Sequence, residues 1–458
     1  MSCTISILET GAMPGAAALQ TDAIQRAIDR VFAAGGGEVT IPAGVFRSGD
    51  IRLRSNVTLH LLRGSRLLGS RDPMDYFHYR TDPVEPLDPA EIADVPYVPL
   101  GTIHGETVYE PDRPDYRFKR LPGTRWNNAL IRAIDAENIA VIADEDAEID
   151  GCNPYDPIGE SDYRGPHGMT LFRCSNIRLH GYTIRDTGNW AHNLLFCTNI
   201  TVNNIRVLAG HDGFDAAVCT NVSVCGSEFR TGDDCIAGFG NTNVRVADCL
   251  LNSSCSALRF GGTNVLVRGC VMEGPGTYGF RGALPSAEKI SGAPSVHGGR
   301  RMLSAFTYYA DYSLPIPEQP GAIRVEDCQI RNTDRFLHYN FSGNETWQRQ
   351  RPLESIMFRN VTAEGIARPL TAYGTADCPL TLELQDVDVT MRSDATSVPF
   401  LQLAHYDEVR LTRVRVTNTC APELIQTWTD GEIRLRGVAH GAACDVCAAA
   451  EPFVCSAI

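Results

Sequence analysis

Five short tetrads recur along the middle of this 458-residue chain: Asn176-Ile-Arg-Leu, Asn199-Ile-Thr-Val, Asn221-Val-Ser-Val, Asn243-Val-Arg-Val and Asn264-Val-Leu-Val. The intervals between their asparagines are 23, 22, 22 and 21 residues. Weaker copies flank them, from Asn56-Val-Thr-Leu and Asn138-Ile-Ala-Val to Ile323-Arg-Val, Ser355-Ile-Met-Phe, Leu382-Glu-Leu, Val409-Arg-Leu and Ile433-Arg-Leu. Each alternates apolar and polar side chains, then reaches a second short alternating stretch after a brief break. A unit of this length, with two or three short strands and no helix, cannot bury its apolar face alone. Stacked on its own copies it forms a continuous core, so the expected fold is all-β, a single-stranded parallel β-helix. The Leu-x-x-Leu-x-Leu frame of a leucine-rich repeat is absent, and a propeller has a longer period.

The initial asparagine suits a left-handed turn and an amide that stacks from rung to rung. Cys174, Cys197 and Cys219 each precede an asparagine by two residues, and Cys249 and Cys270 each follow one by six, so these are expected to pack at corners. An open solenoid end exposes strand edges and calls for a cap. Residues 20–35 supply a capping helix, with Thr21 as its N-cap, Ile24, Ile28, Val31 and Phe32 on one face, and Gly35 stopping it. Residues 73–127 and 275–320 interrupt the repeat and read as loop insertions lining a cleft. Length alone suggests about three domains, but the repeat runs through most of the chain, so residues 1–458 are expected to form one domain.

Composition narrows the function. The chain is 43% hydrophobic and 21% charged, which excludes a disordered tail or a fibre. Its net charge of −14 argues against nucleic acid and against an anionic membrane surface, so any anionic substrate needs a local cluster of cations. No apolar run approaches the roughly 18 residues of a membrane span. The N-terminus has neither a basic region nor a long apolar run, so the expected location is cytoplasmic, or secreted if a leader precedes it. In a reducing compartment the 16 cysteines are free thiols, and the single CxxC at Cys444 and Cys447 does not make a zinc site. No metal and no cofactor is expected.

Counting 13 residues from successive asparagines reaches Asn189, Asp212, Asp234 and Ser256, which should stack on one strip of surface. Asp233 adjoins Asp234, so three carboxylates belong to two rungs. Like charges at rung spacing raise at least one carboxyl pKa, leaving one acid and one base, the pair that glycosidic hydrolysis requires. An aspartate ladder that caps turns, or holds a cation, is the competing reading.

The segments Gly210-His-Asp-Gly-Phe-Asp and Thr231-Gly-Asp-Asp-Cys-Ile-Ala resemble the Asn-Thr-Asp-Gly-Ile-Asp and Gly/Gln-Asp-Asp-Cys-Ile-Ala motifs of the polygalacturonases, glycoside hydrolase family 28. Thr21–Val39, Ile41-Pro-Ala-Gly, Asn56-Val-Thr-Leu-His-Leu, Leu68-Gly-Ser, Ile149-Asp-Gly and Asn189-Trp-Ala-His extend the similarity over most of residues 6–285. The resemblance implies a right-handed parallel β-helix and hydrolysis with inversion. It implies Asp233 as the general acid that protonates the leaving oxygen. Asp212 and Asp234 would hold and deprotonate the attacking water.

The chain departs from the family pattern at three places. Ser256 stands where the family has His, Ala283 stands where it has Lys, and His211 precedes Asp212 in place of Asn-Thr. In the family the Arg and Lys bind the substrate carboxylate, so here Arg281 is left to pair a uronate, with Arg259 as a second fork. Trp190, Tyr308, Tyr309 and Trp347 are candidates for a sugar platform, and His297, Arg300 and Arg301 lie in the second long loop. Packing and solvated charge are the plain alternatives for each. Asp150 and Asp215 read as turn-stabilising.

The leading expectation is an exo-acting hydrolase of short pectin-derived, galacturonate-containing oligosaccharides. A hydrolase of the same fold acting on a different, neutral sugar is one alternative. A Ca²⁺-dependent polysaccharide lyase, with the aspartates on the ion and an Arg such as Arg281 as base, is another. A non-catalytic carbohydrate-binding or adhesion protein is the third.

Overall fold

The computed structural model describes residues 3–76, 128–157, 159–294, 301–310, 321–342, 351–393, 399–419 and 421–441, with Trp126, Trp347 and Gln348 and a few strand backbones elsewhere. Apart from residues 73–76, Trp126 and a short antiparallel pair at Thr102–Ile103 and Glu106–Thr107, the 73–127 insertion lies outside the described residues. Cys444, Cys447, His297 and Arg300 also lie outside them.

The fold class is the right-handed parallel β-helix, and the chain divides into two compact units. The first comprises Met1–Tyr97, Tyr109–Asp233 and Tyr278–His297. One of its three parallel ladders runs Gly37–Ile41, Val57–Leu61, Glu137–Ala143, Ser175–His180, Thr198–Asn203 and Thr220–Cys225. Its register stacks Ile177 on Ile200 on Val222 and Leu179 on Val202 on Val224, all pointing inward, while Arg178, Thr201 and Ser223 face out. Each such apolar side chain contributes about 1.5–3 kcal/mol by leaving water. A second ladder ends in Arg206–Ala209 and Glu228–Thr231, and a third in His167–Phe172, His192–Leu195 and Phe214–Ala217.

The asparagine reading is found in detail. Asn56, Asn138, Asn176, Asn199 and Asn221 all hold positive φ, between 54° and 62°. Their amides form a ladder in which each Nδ2 donates to the Oδ1 one rung below, at 2.8–3.0 Å. The side chain therefore does two jobs: it tolerates the left-handed turn and ties that turn to its neighbour. Cys174, Cys197 and Cys219 are buried, and each thiol donates to a carbonyl two residues back.

The capping helix runs Thr21–Ala33 and buries Ile24, Ala27, Ile28 and Val31. Two expectations about it are corrected. Gln20 occupies the N-cap with no side-chain bond, because the Thr21 hydroxyl accepts from the Gly49 N–H (2.8 Å) and so ties the helix to the turn beside it. Phe32 is 45% exposed, with the Arg54 guanidinium 5.7 Å from its ring centre.

The second unit comprises Val98–Val108, Asp234–Thr277 and Gly298–Ile458. Here two short strands fuse into long ones: Ile236–Ala247, Ser256–Arg268, Leu353–Ile366, Leu380–Met391 and Tyr406–Thr417. Asn264 again donates to Asn243, both at positive φ. The 275–320 segment is not loop throughout. Met302–Tyr308 is a rung strand paired in parallel with Ser256–Arg268 and Thr333–Asn340, and Ser286–Ser291 is a short helix. Its apolar alternation is too brief to be separated from loop by periodicity.

Candidate active site

In the first unit, the rung arithmetic puts Asn189 and Asp212 at the same register in successive rungs, and Asp233 follows on the turn after Glu228–Thr231. The Ala191 N–H donates to the Asp212 carbonyl (2.9 Å), which locks adjacent rungs together. Gly232 follows from a close approach: a Cβ there would lie 2.3 Å from the Gly279 oxygen and 2.6 Å from the Gly210 oxygen. The segment around Gly279–Arg281 therefore packs under the turns that carry Asp212 and Asp233, and the Arg281 N–H donates to the Gly210 carbonyl (2.9 Å). Asp212 is 3% exposed and Asp233 is half-buried.

Histidines shape the surroundings of Asp212. His192, from the Asn189-Trp-Ala-His segment, is fully buried; its Nδ1 donates to the Gly213 carbonyl (2.8 Å) and its Nε2 accepts from the Tyr182 hydroxyl (2.9 Å). Burial pushes its pKa down to about 4, against the raising effect of the Gly213 carbonyl, so the ring is neutral and its tautomer is fixed. It thereby holds the carbonyl of Gly213, the residue after Asp212. His211 is also fully buried, stacked 5.7 Å from Tyr163 and edge-on to Phe280. Burial, then the positive charges of Arg164 and Arg281, hold it well below the usual histidine range. Trp190 is 8% exposed, 5.1 Å from Trp126 and 5.4 Å from His167, and so belongs to a buried aromatic cluster.

Two cations that the motifs did not single out stand here. Arg164 donates to the Asn189 Oδ1 (3.3 Å) and lies 3.4 Å from Glu160. Burial opposes its charge, but Glu160, Tyr163, Asp233 and Asp212 raise its pKa above the usual arginine value. Lys289, on the helix Ser286–Ser291, places its Nζ 4.4 Å from the centre of the Tyr163 ring. Neither lies on a repeat position: Arg164 sits in a turn between rungs and Lys289 in the interruption, so periodicity offers no register for either.

Arg281 differs from its expected role. It is fully buried, and its guanidinium donates to the carbonyls of Lys289 (2.7 Å), Ala293 (3.2 Å) and Asn153 (3.3 Å). Arg71 adds a bond to the Ile290 carbonyl (2.9 Å). Arg281 is thus the anchor of a latch, residues 281–294, that carries Lys289. Asp150, the last residue of the strand Glu148–Asp150, accepts from the Cys152 N–H (2.7 Å), and Asp215 lies within the strand Phe214–Ala217 opposite Asn193.

In the second unit, the Asp234 side chain is fully buried and accepts from the Ser256 N–H (3.1 Å). The next residue's N–H, that of Cys235, donates to the Ser256 carbonyl (3.0 Å), so this pair shares the rung register too. Arg259 approaches Asp234 to 3.5 Å, with its guanidinium carbon 4.2 Å from the Tyr309 ring centre and 5.2 Å from that of Trp347. Tyr308 and Tyr309 are each 3% exposed, packed inside rather than offered as a platform.

Residues 125–255 match the family described as "Glycosyl hydrolases family 28". An exo-poly-alpha-D-galacturonosidase of Dickeya chrysanthemi is 28% identical over 256 residues, 52% of this chain and 42% of that protein. The match therefore spans less than half the length of that relative. An exopolygalacturonase from Thermotoga maritima superposes with a TM-score of 0.56 at 16% identity, covering 96% of this chain and 91% of the other. A family 28 exopolygalacturonase of Yersinia enterocolitica gives 0.51 at 17%, covering 96% and 78%. At these identities the structural likeness speaks for the fold alone.

Proposed function

We propose, from the match of residues 125–255 to glycosyl hydrolases family 28, that the chain is a member of that family and hydrolyses galacturonate-containing oligosaccharides, releasing sugar from one end with inversion at the anomeric carbon. Asp233 protonates the leaving glycosidic oxygen, and Asp212 with Asp234 holds and deprotonates the water that attacks the anomeric carbon. The observation that carries the reading is geometric: buried Asp212 and half-buried Asp233 sit on turns packed over the same Gly279–Arg281 segment, with the Arg164 guanidinium bonded to Asn189 (3.3 Å) one rung away. With the net charge of −14, an anionic sugar needs local cations, and Arg164 and Lys289 supply them at Tyr163. The exo preference is supported by the name of the Dickeya relative.

Hydrolysis of a neutral sugar is the second reading, favoured by the engagement of Arg281 with three carbonyls. The lyase reading loses its base for the same reason. Incubation with oligogalacturonides, rhamnogalacturonan fragments and neutral aryl-glycosides, beside Asp233→Asn, tests all three. Saturated monosaccharide from a uronide, lost in the variant and indifferent to chelator, is the expected result. An unsaturated, chelator-sensitive product overturns it, and turnover of a neutral glycoside alone moves the assignment to the second reading.

A further inference from the structure

We propose that Arg259 is a positioning residue for Asp234, holding its carboxylate ionised and in one orientation, and does not contact the sugar. The proposal rests on the reading above only in counting Asp234 among the reacting groups. A fully buried carboxylate needs a counter-charge and hydrogen bonds to remain ionised. Ser256 gives it an N–H at 3.1 Å but no charge. The charge comes three residues later in the same strand, Ser256–Arg268, where Arg259 pairs in register with Ala237 and Thr307. The rung geometry thus fixes where Arg259 starts.

Its far end is fixed by aromatic faces. Tyr309 and Trp347 stand 4.2 and 5.2 Å from the guanidinium carbon, and Phe239 meets Tyr309 edge-on at 5.1 Å. Two rings, 78° apart in plane, lie against the guanidinium and restrict where it can go. The Arg259 side chain remains 25% exposed, consistent with a residue that backs a site rather than lies under it. Among the described residues, the Cys255 thiol lies within 4.8 Å of Asp234, and Asp233 is the residue before Asp234 in the chain.

The test is the pH profile of kcat/KM for the wild type, Arg259→Gln and Arg259→Lys, on whichever oligogalacturonide is cleaved. Removing the charge makes Asp234 harder to ionise, so the acid-side limb of Arg259→Gln moves up by about one unit while the alkaline limb stays. Arg259→Lys retains the wild-type limb. A uniform loss at every pH, with both limbs in place, overturns the proposal and returns Arg259 to substrate contact or packing. Trp347→Ala removes one ring and gives a smaller shift in the same direction; an unshifted limb there counts against the proposal should Arg259→Gln fail to fold. If the wild type cleaves nothing, the functional reading fails by itself. A carbon-13 titration of the aspartate carboxyls, assigned with Asp234→Asn, then reads the same upward shift in Arg259→Gln without turnover, and no shift overturns the proposal.

Discussion

Asp212 and Asp234 occupy the same register position of the repeat, 13 residues after their asparagines, yet their charges are met differently. In the unit that carries Asp212 the cations come from outside the repeat: Arg164, bonded to Asn189, and Lys289, over the Tyr163 ring on a latched helix. Beside Asp234 the cation is built into the next rung strand and lies against two rings. A cation grown from the rung cannot move away, which suits control of a neighbour's ionisation. A cation carried on a latch can adjust to a ligand, which suits recognition. Variants on the two sides should therefore fail in different kinetic terms.

The largest expected effect separates acid from scaffold. Asp233→Asn should lower kcat by about 10²–10⁴-fold with the melting temperature unchanged, because a half-buried carboxyl gives way to an isosteric amide. Asp234→Asn should lose activity and stability together, since it leaves Arg259 beside a neutral group in a buried setting. Equal stability in the two variants would erase the contrast. Next comes the latch: Arg281→Met strands three carbonyls and should cost about 3 kcal/mol, with KM for a uronide raised as Lys289 is released. A variant that melts lower but keeps its KM would detach Lys289 from recognition.

Acid sensitivity should be concentrated in the first unit. His192 titrates near 4 and His167 near 3 when folded, both lowered first by burial, against an ordinary value of 6.5. The unfolded chain therefore binds more protons, so stability is present above pH 6.5 and is lost as pH falls toward the folded values. For His192 the loss amounts to about 3 kcal/mol between pH 6.5 and 4. Urea unfolding of wild type and His192→Gln across that range checks it: the variant's curve should be flatter. Lys289→Met is smaller still, raising KM for a uronide about fivefold with kcat little changed, as fits loss of one half-buried charge.

What the sequence made legible follows from the period. Asn199, Cys197, Asp212 and Ser256 repeat a spacing, and spacing is geometry when strands stack at constant rise. The rung strands and the thiol corners could thus be read from residue numbers. Thr21, Phe32 and Arg281 could not, because each turns on a single tertiary contact: a glycine amide, an arginine over a ring, three carbonyls. Arg164 and Lys289 lay beyond reach for a related reason, since turns and interruptions carry no register. The strand Met302–Tyr308 was hidden inside an apparent loop for want of a neighbouring copy to align it.

The smallest effect probes the repeat itself, and the two units again provide the contrast. Asn199 donates to Asn176 and accepts from Asn221, so it ties two neighbours at φ 56°. Asn199→Ala loses both amide bonds and forces a Cβ without local compensation into the left-handed region, for about 1–2 kcal/mol in all. Asn199→Gly removes the bonds but keeps the φ, so it should recover about half of that loss. At Asn264, φ 55°, whose amide donates to Asn243, the same pair of substitutions should show a similar conformational part and a smaller bonding part. Thermal unfolding of the four variants would then divide the ladder's contribution into backbone and amide. If Ala and Gly prove equal at both sites, the asparagines are kept for the amide ladder alone, and the left-handed turn is held by the packing of the rungs around it.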